Sequence, residues 1–443
     1  MGIKTKISQI LKSDNSISLI GNMVFAFFGF ANIFILARSY PKDVFGEWVL
    51  YLSGMALFEM IRKGITGTPL VRFVAGTEDE TERNRIIGAG WVLSVAVTIA
   101  VIVILVPSYM LFSDAIDEKG FGLFFKWYPL LAVVVLPLNT GLSILQADRR
   151  FTAILQLRFV NMFVFFLFLI LNWLWLKLPI VTVVWCHIGS QLLASIFAVS
   201  KKWSGIKTIV KATSKSLKAQ FNFGKYSLGT LIGSNLLKSS DTFIIGIMLA
   251  EPQVAYYSIP LKLIEIVEIP MRSFVAVAFP KMSKASRNGN VAEVRSIFYQ
   301  YAGVVSWLFI GLVLALFVMA KPLTLILGGP DYVESALIFK IFLIYALFLP
   351  LDRFSGITLD AINRPKLNMI KVIFMASANI IGDILAIHFF KSLEAVAMIT
   401  IINVLTGVIV GNWFLRREIQ INALQVFPAG LKHLRSFVNQ ILK

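Results

Sequence analysis

Residues Leu36–Ala75 read LARSYPKDVFGEWVLYLSGMALFEMIRKGITGTPLVRFVA. The stretch holds the end of one apolar run, a short turn, a second apolar run with Glu59 near its middle, and a basic exit. A weaker copy returns at Leu249–Lys284, LAEPQVAYYSIPLKLIEIVEIPMRSFVAVAFPKMSK. At a constant offset of 209 residues, Phe45-Gly46-Glu47-Trp48 falls on Val254-Ala255-Tyr256-Tyr257, Glu59 on Glu268 and Arg72 on Lys281. An apolar hairpin that occurs once in each half predicts a duplicated membrane protein.

Composition agrees. Of 443 residues, 57% are hydrophobic and 15% charged, with mean hydropathy +0.79; a soluble domain carries about 25% charged residues. Apolar runs of roughly 20 residues, the length that crosses a ~30 Å hydrocarbon core, recur along the whole chain. They do not alternate, so a β-barrel is excluded. The net charge of +18 resides in loops rather than in a separate basic domain, which argues against nucleic acid as a partner. A single cysteine, Cys186, excludes an internal disulfide and a cysteine-rich metal site. Lysines precede the first apolar run without a small-residue cleavage site, so that run reads as a retained span.

Twelve spans are expected at 17–37, 45–66, 86–109, 124–146, 155–176, 180–200, 226–250, 254–279, 298–320, 335–359, 367–389 and 393–415. The organisation that follows is an amphipathic N-terminus at 1–16, a six-helix bundle at 17–200, a basic connector at 201–225, a second six-helix bundle at 226–415 and an amphipathic tail at 416–443. In the N-terminus, Ile3, Ile7, Ile10 and Leu11 alternate with Lys4, Lys6 and Lys12, the pattern of a helix lying on a membrane surface. Leu431, Leu434, Phe437, Val438 and Ile441 repeat it in the tail. The connector reads either as an interfacial helix carrying Trp203, Ile206, Ile209 and Val210, or as a solvated loop. Trp48, Trp127, Trp173 and Trp175 stand near span ends, as in interfacial belts.

Loop charge tests the count. With both termini cytoplasmic, the inner segments hold nearly all the basic residues, including Arg62, Lys63, Arg83, Arg158, Lys201, Lys281, Arg364 and Lys371. The outer ones hold only Arg38, Lys42, Lys119, Lys126, Lys177, Lys321 and Lys391. An alternation that holds loop by loop supports both the count and the orientation, since lysine and arginine favour the cytoplasmic side.

Charges inside spans are costly and mark pathways or pairs. Lys238 and Asp241 share a face with Asn235 close by. Lys262, Glu265 and Glu268 form a stripe with Arg272 one turn on, Asp352-Arg353 follow, and Asp383 lies in the next span. Lys238/Asp241 and Lys262/Glu265 read either as structural ion pairs or as parts of a hydrated cavity. In that cavity Lys238, Lys262 and Arg353 would meet an anionic ligand, while Glu59, Asp241, Glu265, Glu268 and Asp383 would carry a proton or another cation. Glu59 and Glu268 lack an obvious cationic neighbour at their own depth within their own helix, which favours the coupling role for them. The three histidines, His187, His388 and His433, have no metal-ligand spacing. His187 reads as a hydrogen-bonded packing residue. No nucleophile elbow, phosphate loop or aspartate pair occurs, so no catalytic residue, cofactor or metal is expected.

The order small-Arg-x-x-Pro, Phe45-Gly46, a long apolar span and Gly64/Gly67 before Leu70-Val71-Arg72 resembles the opening of polysaccharide transporters. These are the Wzx-type flippases of the multidrug/oligosaccharidyl-lipid/polysaccharide exporter superfamily. Asp241 before Phe243-Ile244-Ile245-Gly246 resembles that family's seventh-span aspartate, and Val254-Ala255-Tyr256-Tyr257 with Phe279-Pro280 its eighth-span signature. The resemblance implies two six-helix bundles related by a pseudo-two-fold axis along the membrane normal. It also implies a carrier, not an enzyme, that moves undecaprenyl-diphosphate-linked oligosaccharide across the bacterial inner membrane for O-antigen or capsule assembly. Exchange would be driven by protons or another cation as the bundles rock, with membrane lipids, a polymerase and chain-length machinery as partners. The same architecture serves drug or cation exporters. A polysaccharide polymerase or an acyltransferase is the remaining alternative, although neither a large outer loop nor a catalytic histidine is seen. The lipid II flippase branch typically has fourteen spans, two more than are read here.

Overall fold

The computed structural model describes residues 14–441 apart from 76, 423 and 424, without the side chains of 14–23, 229, 230, 232–239 and 434–441. The side chains of the expected amphipathic lead-in, of Asn235 and of Lys238 lie outside the described residues. Within them the chain is helical, without a strand.

In chain order, α1 spans Asp14–Ser39. Helix α2, Lys42–Arg62, runs through a π-helical turn at Lys63–Gly67 into Thr68–Val74. Then come α3 (Glu80–Glu118), α4 (Gly122–Val134), α5 (Leu136–Ala147), α6 (Phe151–Leu171), α7 (Ile180–Ser200) and α8 (Ser214–Met248). After them follow α9 (Glu251–Arg287), α10 (Val291–Val318), α11 (Ala320–Gly328), α12 (Ala336–Ala361), α13 (Pro365–Phe390), α14 (Leu393–Ile419) and α15 (Val426–Ile441). Eight helical stretches among the described residues are long and apolar enough to cross a membrane, and nine when α4 and α5 count as one bent span. The protein is therefore an all-α polytopic membrane protein, as the apolar run lengths require.

Several boundaries differ from expectation for local reasons. Helix α3 starts on Asp79, whose carboxylate accepts from the N–H groups of Thr81 (2.9 Å) and Glu82 (3.4 Å), the usual remedy for orphan donors at a helix start. It continues through most of the expected outer loop to Glu118, broken only at Phe112. The span at 124–146 bends by 52° between α4 and α5; Pro137, in the first turn of α5, has no N–H to continue the ladder. Most of the connector after Ser214 is the first part of α8. Ahead of it, Ile206–Lys211 forms a 3-10 turn rather than an extended interfacial helix.

The chain forms two compact units. One comprises residues up to Ile232 together with Ala250–Ala255; the other comprises Gly233–Leu249 and residues from Tyr256 onward. In the first unit, Leu70 and Val74 of α2 pack with Ile86, Ile87 and Trp91 of α3 and with Leu136 and Ile144 of α5. The connector is fastened to this core. Trp91 Nε1 donates to the Ser204 carbonyl (2.8 Å) and Gln220 Nε2 to the Ile86 carbonyl (2.7 Å). A Cβ at Gly88 would run into the Thr208 carbonyl oxygen, so only glycine allows this approach. Gly88→Ala is expected to cost about 1–3 kcal/mol through overpacking, read as faster protease cutting at Lys201–Lys211 in the folded protein.

Trp48 is a correction to the belt reading. It is 2% exposed and lies 5.8 Å, ring to ring, from Phe165, so it packs inside the first unit. Trp175, 71% exposed, fits the belt. In the second unit, α12 packs on α14 and α13, and the start of α15 is held on α10, where Trp307 Nε1 donates to the Phe427 carbonyl (2.9 Å). Large apolar side chains such as Ile104, Leu193, Ile196, Ile381 and Phe389 face outward, while many of the polar ones lie inside. That distribution suits a hydrocarbon surrounding.

Candidate functional site

Each unit contains one polar cavity of interest. In the first unit the cavity measures about 180 Å³ and opens beside the π-helical turn of α2. Glu59 sits at its wall. Tyr128 donates to Glu59 Oε1 (2.9 Å) and Asn139 Nδ2 to Oε2 (2.6 Å), so α4 and α5 fix both carboxylate oxygens. Arg62 Nη2 lies 3.3 Å from Oε1. The expectation that Glu59 lacks a cation is therefore corrected: Arg62, counted in sequence as a loop residue, folds back one turn along the helix.

Arg62 is the unusual member. Its side chain is 3% exposed and, beyond the Nη2–Glu59 ion pair, Nε, Nη1 and Nη2 make no hydrogen bond among the described residues. Guanidinium donors buried without acceptors are expensive. The cavity beside them is lined by Lys63, Arg158, Thr66, Ser94, Thr140 and Ser143. Sequence reasoning missed Arg62 because it stands at the basic exit of a span; the i, i+3 spacing to Glu59 was the available signal.

In the second unit the cavity is larger, about 490 Å³, and lies between α8, α9, α12, α13 and α14. Asp241, Glu265, Glu268 and Arg353 line it, whereas Lys262 and Asp383 are not among its lining residues. Lys262 Nζ sits 2.7 Å from Glu265 Oε2 and Arg272 Nη2 lies 3.0 Å from Glu268 Oε2. The pairing corrects the reading of Glu268 as uncompensated. Arg353 stands among Tyr345, Asp352 and Glu268, with no described carboxylate at ion-pair distance.

Two further arrangements shape this unit. Lys371, counted in sequence as a cytoplasmic loop cation, is 3% exposed, and its ammonium donates to Asp352 Oδ1 (2.7 Å), the Asp352 carbonyl (2.9 Å) and Ser355 Oγ (3.2 Å). Gly407 of α14 makes room, since a Cβ there would strike Asp352 Oδ1. Lys371→Met is expected to destabilise the protein by about 3–5 kcal/mol by stranding Asp352. Lys371→Met combined with Asp352→Leu should recover much of that loss, and thermal unfolding in detergent checks both.

Deeper in the same unit, Asn379 of α13 bridges two carboxylates. Its Nδ2 donates to Asp241 Oδ1 (2.7 Å) and to Asp383 Oδ2 (2.9 Å), and its Oδ1 accepts from Asn403 Nδ2 (2.8 Å). Tyr257 donates to Asp241 Oδ2 (2.9 Å). Asp383 is fully buried, and both its Oδ1 and Asn403 Oδ1 lack a partner. Two buried carboxylates this close need a proton or a cation to balance them, and the free oxygens are the acceptors such a cation takes. Asp241 and Asp383 were legible in sequence; Asn379, four residues before Asp383 on the same helix face, was not read.

His187 accepts or donates with Tyr51 across 3.0 Å and is surrounded by Trp48 and Phe165. It packs α7 to α2. Among the described residues, no three His, Cys, Asp or Glu side chains are placed to hold a metal ion.

Residues 11–286 match the family model described as polysaccharide biosynthesis protein. The chain belongs to that family. Over 204 residues, 46% of this chain and 43% of the other, it is 22% identical to "Probable low-salt glycan biosynthesis flippase Agl15" of Haloferax volcanii. The matched part therefore spans less than half of that relative. Among solved structures, "Lipid II flippase MurJ, inward closed conformation" superposes with a TM-score of 0.75 at 14% identity, over 96% of this chain and 92% of that one. An inward-facing multidrug resistance MATE transporter of the MOP superfamily gives 0.76 at 14% identity, over 88% and 94%. The family thus has, in this member, the fold shared by MurJ and MATE transporters.

Proposed function

We propose that this chain is a flippase that moves an undecaprenyl-diphosphate-linked oligosaccharide from the cytoplasmic to the outer leaflet of a bacterial inner membrane. It does so by cation-coupled alternating access over twelve crossings, with both termini cytoplasmic, and delivers its cargo to polysaccharide polymerase and chain-length machinery for O-antigen or capsule. The observation that carries this reading is Arg62: a buried guanidinium, paired at 3.3 Å with Glu59 but without a hydrogen bond at any of its three nitrogens, beside a cavity lined by two more cations and several hydroxyls. Diphosphate oxygens satisfy such a site in charge and in geometry, because the planar fork of arginine matches a phosphate edge. Membership in a polysaccharide biosynthesis family, and a relative named for flipping a glycan precursor, point the same way. The Asp241–Asn379–Asp383–Asn403 cluster takes the coupling role, with one proton or one monovalent cation balancing the two carboxylates.

The test is leaflet exchange in proteoliposomes holding the full chain and a fluorescent lipid-linked oligosaccharide, with an impermeant quencher outside. Accelerated loss of the inner-leaflet signal supports the reading. A second reading, export of an organic cation, is favoured by the carboxylates Glu265, Glu268 and Asp360 in the larger cavity. Efflux of ethidium from the same vesicles with no lipid exchange would establish it instead.

A further inference from the structure

The larger cavity says something about the charge of the cargo. Its 490 Å³ falls within the roughly 300–1,000 Å³ of ligand pockets, yet it is not a cationic site. Lys371 is taken by Asp352, Arg272 by Glu268 and Lys262 by Glu265. Arg353 is the described lining cation without an ion pair, and Asp360, whose Oδ2 accepts from Asn368 (2.9 Å), is a lining carboxylate without one. The groups on offer are therefore three ion pairs and, beyond them, the carboxylates of Asp241 and Asp360 against Arg353, beside apolar walls from Phe342, Ile264 and Met375.

We infer that this cavity holds an uncharged, hydroxyl-rich saccharide and discriminates against an acidic one. Hydroxyl groups donate to carboxylate and amide oxygens while accepting from Arg353, so a neutral glycan makes hydrogen bonds without breaking any of the three ion pairs. A hexuronate would either displace a carboxylate from its cation or face Glu265 and Asp360 directly, and like-charge contacts of that kind cost affinity. The apolar walls cover the C–H faces of the sugar rings. The inference rests on the proposed translocation of a lipid-linked saccharide, which it narrows from any oligosaccharide to a neutral one.

Binding to the full chain in nanodiscs tests it. The probes are a short-prenyl diphosphate bearing a neutral trisaccharide, the same lipid with one hexose replaced by a hexuronic acid, and ethidium. The acidic probe is expected to bind at least about tenfold more weakly than the neutral one. In Glu265→Gln combined with Asp360→Asn, two accessible positions, with thermal melting as the control for an intact fold, the gap should shrink to about threefold or less. Equal or tighter binding of the acidic probe by the unaltered chain overturns the inference, as does a gap that the double substitution leaves unchanged. Binding of ethidium with neither glycan probe is a different failure: it removes the proposed function, and the inference falls with it.

Discussion

Asp383→Asn is expected to abolish the dependence of lipid exchange on the driving cation. The coupling lost should lie in the range of about 1–3 kcal/mol, or 5–150-fold, typical of linked sites. The reasoning is electrostatic. Asp241 and Asp383 share one amide donor, Asn379 Nδ2, at 2.7 and 2.9 Å, and one oxygen of Asp383 has no donor at all. A cation or a proton completes the cluster; an asparagine in place of Asp383 leaves one carboxylate, already held by Tyr257 and Asn379, with nothing further to balance. The variant should melt no lower than the unaltered chain in the absence of cation, because a buried negative charge has gone. Sodium at 100 times its dissociation constant would add about 2.7 kcal/mol to the unaltered chain and nothing to the variant; if acid rather than sodium gives that protection, the coupling ion is the proton. Glu268→Gln, whose carboxylate already has Arg272 at 3.0 Å, should disturb coupling less. Retention of full cation dependence in Asp383→Asn would place the coupling elsewhere.

The second large effect concerns Arg62. Arg62→Gln is expected to weaken binding of a diphosphate-bearing lipid by about 2 kcal/mol, roughly thirtyfold, the worth of a hydrogen bond to a charged group. The variant loses the Arg62–Glu59 ion pair (3.3 Å), but Glu59 is part-exposed and keeps Tyr128 and Asn139, so the loss in melting temperature should be smaller than for Lys371→Met and the fold should survive. Arg62→Lys keeps the charge but loses the fork, so an intermediate affinity is expected. Titration of the labelled lipid into nanodiscs, with melting temperature as the control, separates a lost ligand contact from a lost fold. Unchanged affinity in Arg62→Gln would remove the observation on which the proposed cargo rests.

How much of this could be read from sequence follows from the physics. Fold class was legible because the bilayer fixes the length of apolar runs. Asp241 and Asp383 were legible because a carboxylate inside such a run is costly enough to stand out. Lys371 and Arg62 were not, since each lies near a span end, where a cation usually means a loop. What makes them different is what a neighbouring helix places beside them: Asp352 nineteen residues earlier for Lys371, and the cavity beside α5 for Arg62. Trp48 misled for a related reason. A tryptophan near a helix start fits a headgroup belt until Phe165 and Tyr51 are seen around it. Asn379 and Asn403 carry no charge, so nothing in an apolar window marks them until the carboxylates they hold are in place.

The π-helical turn at Lys63–Gly67 gives the opening stretch one place where its length can change. Such a turn houses a residue more than an α-helical one, with i→i+5 bonding. Deleting one residue there would restore ordinary winding and leave Thr68–Val74 close to its present angle about the helix axis, whereas a deletion in the α-helical turns on either side would swing it by about 100°. Leu70 and Val74, 2% and 1% exposed against Trp91 and Ile86, would in that second case turn out of the core. A single-residue deletion within Lys63–Gly67 should thus be better tolerated than one beside it, a rule for deep mutational scans and for aligning distant sequences through this point.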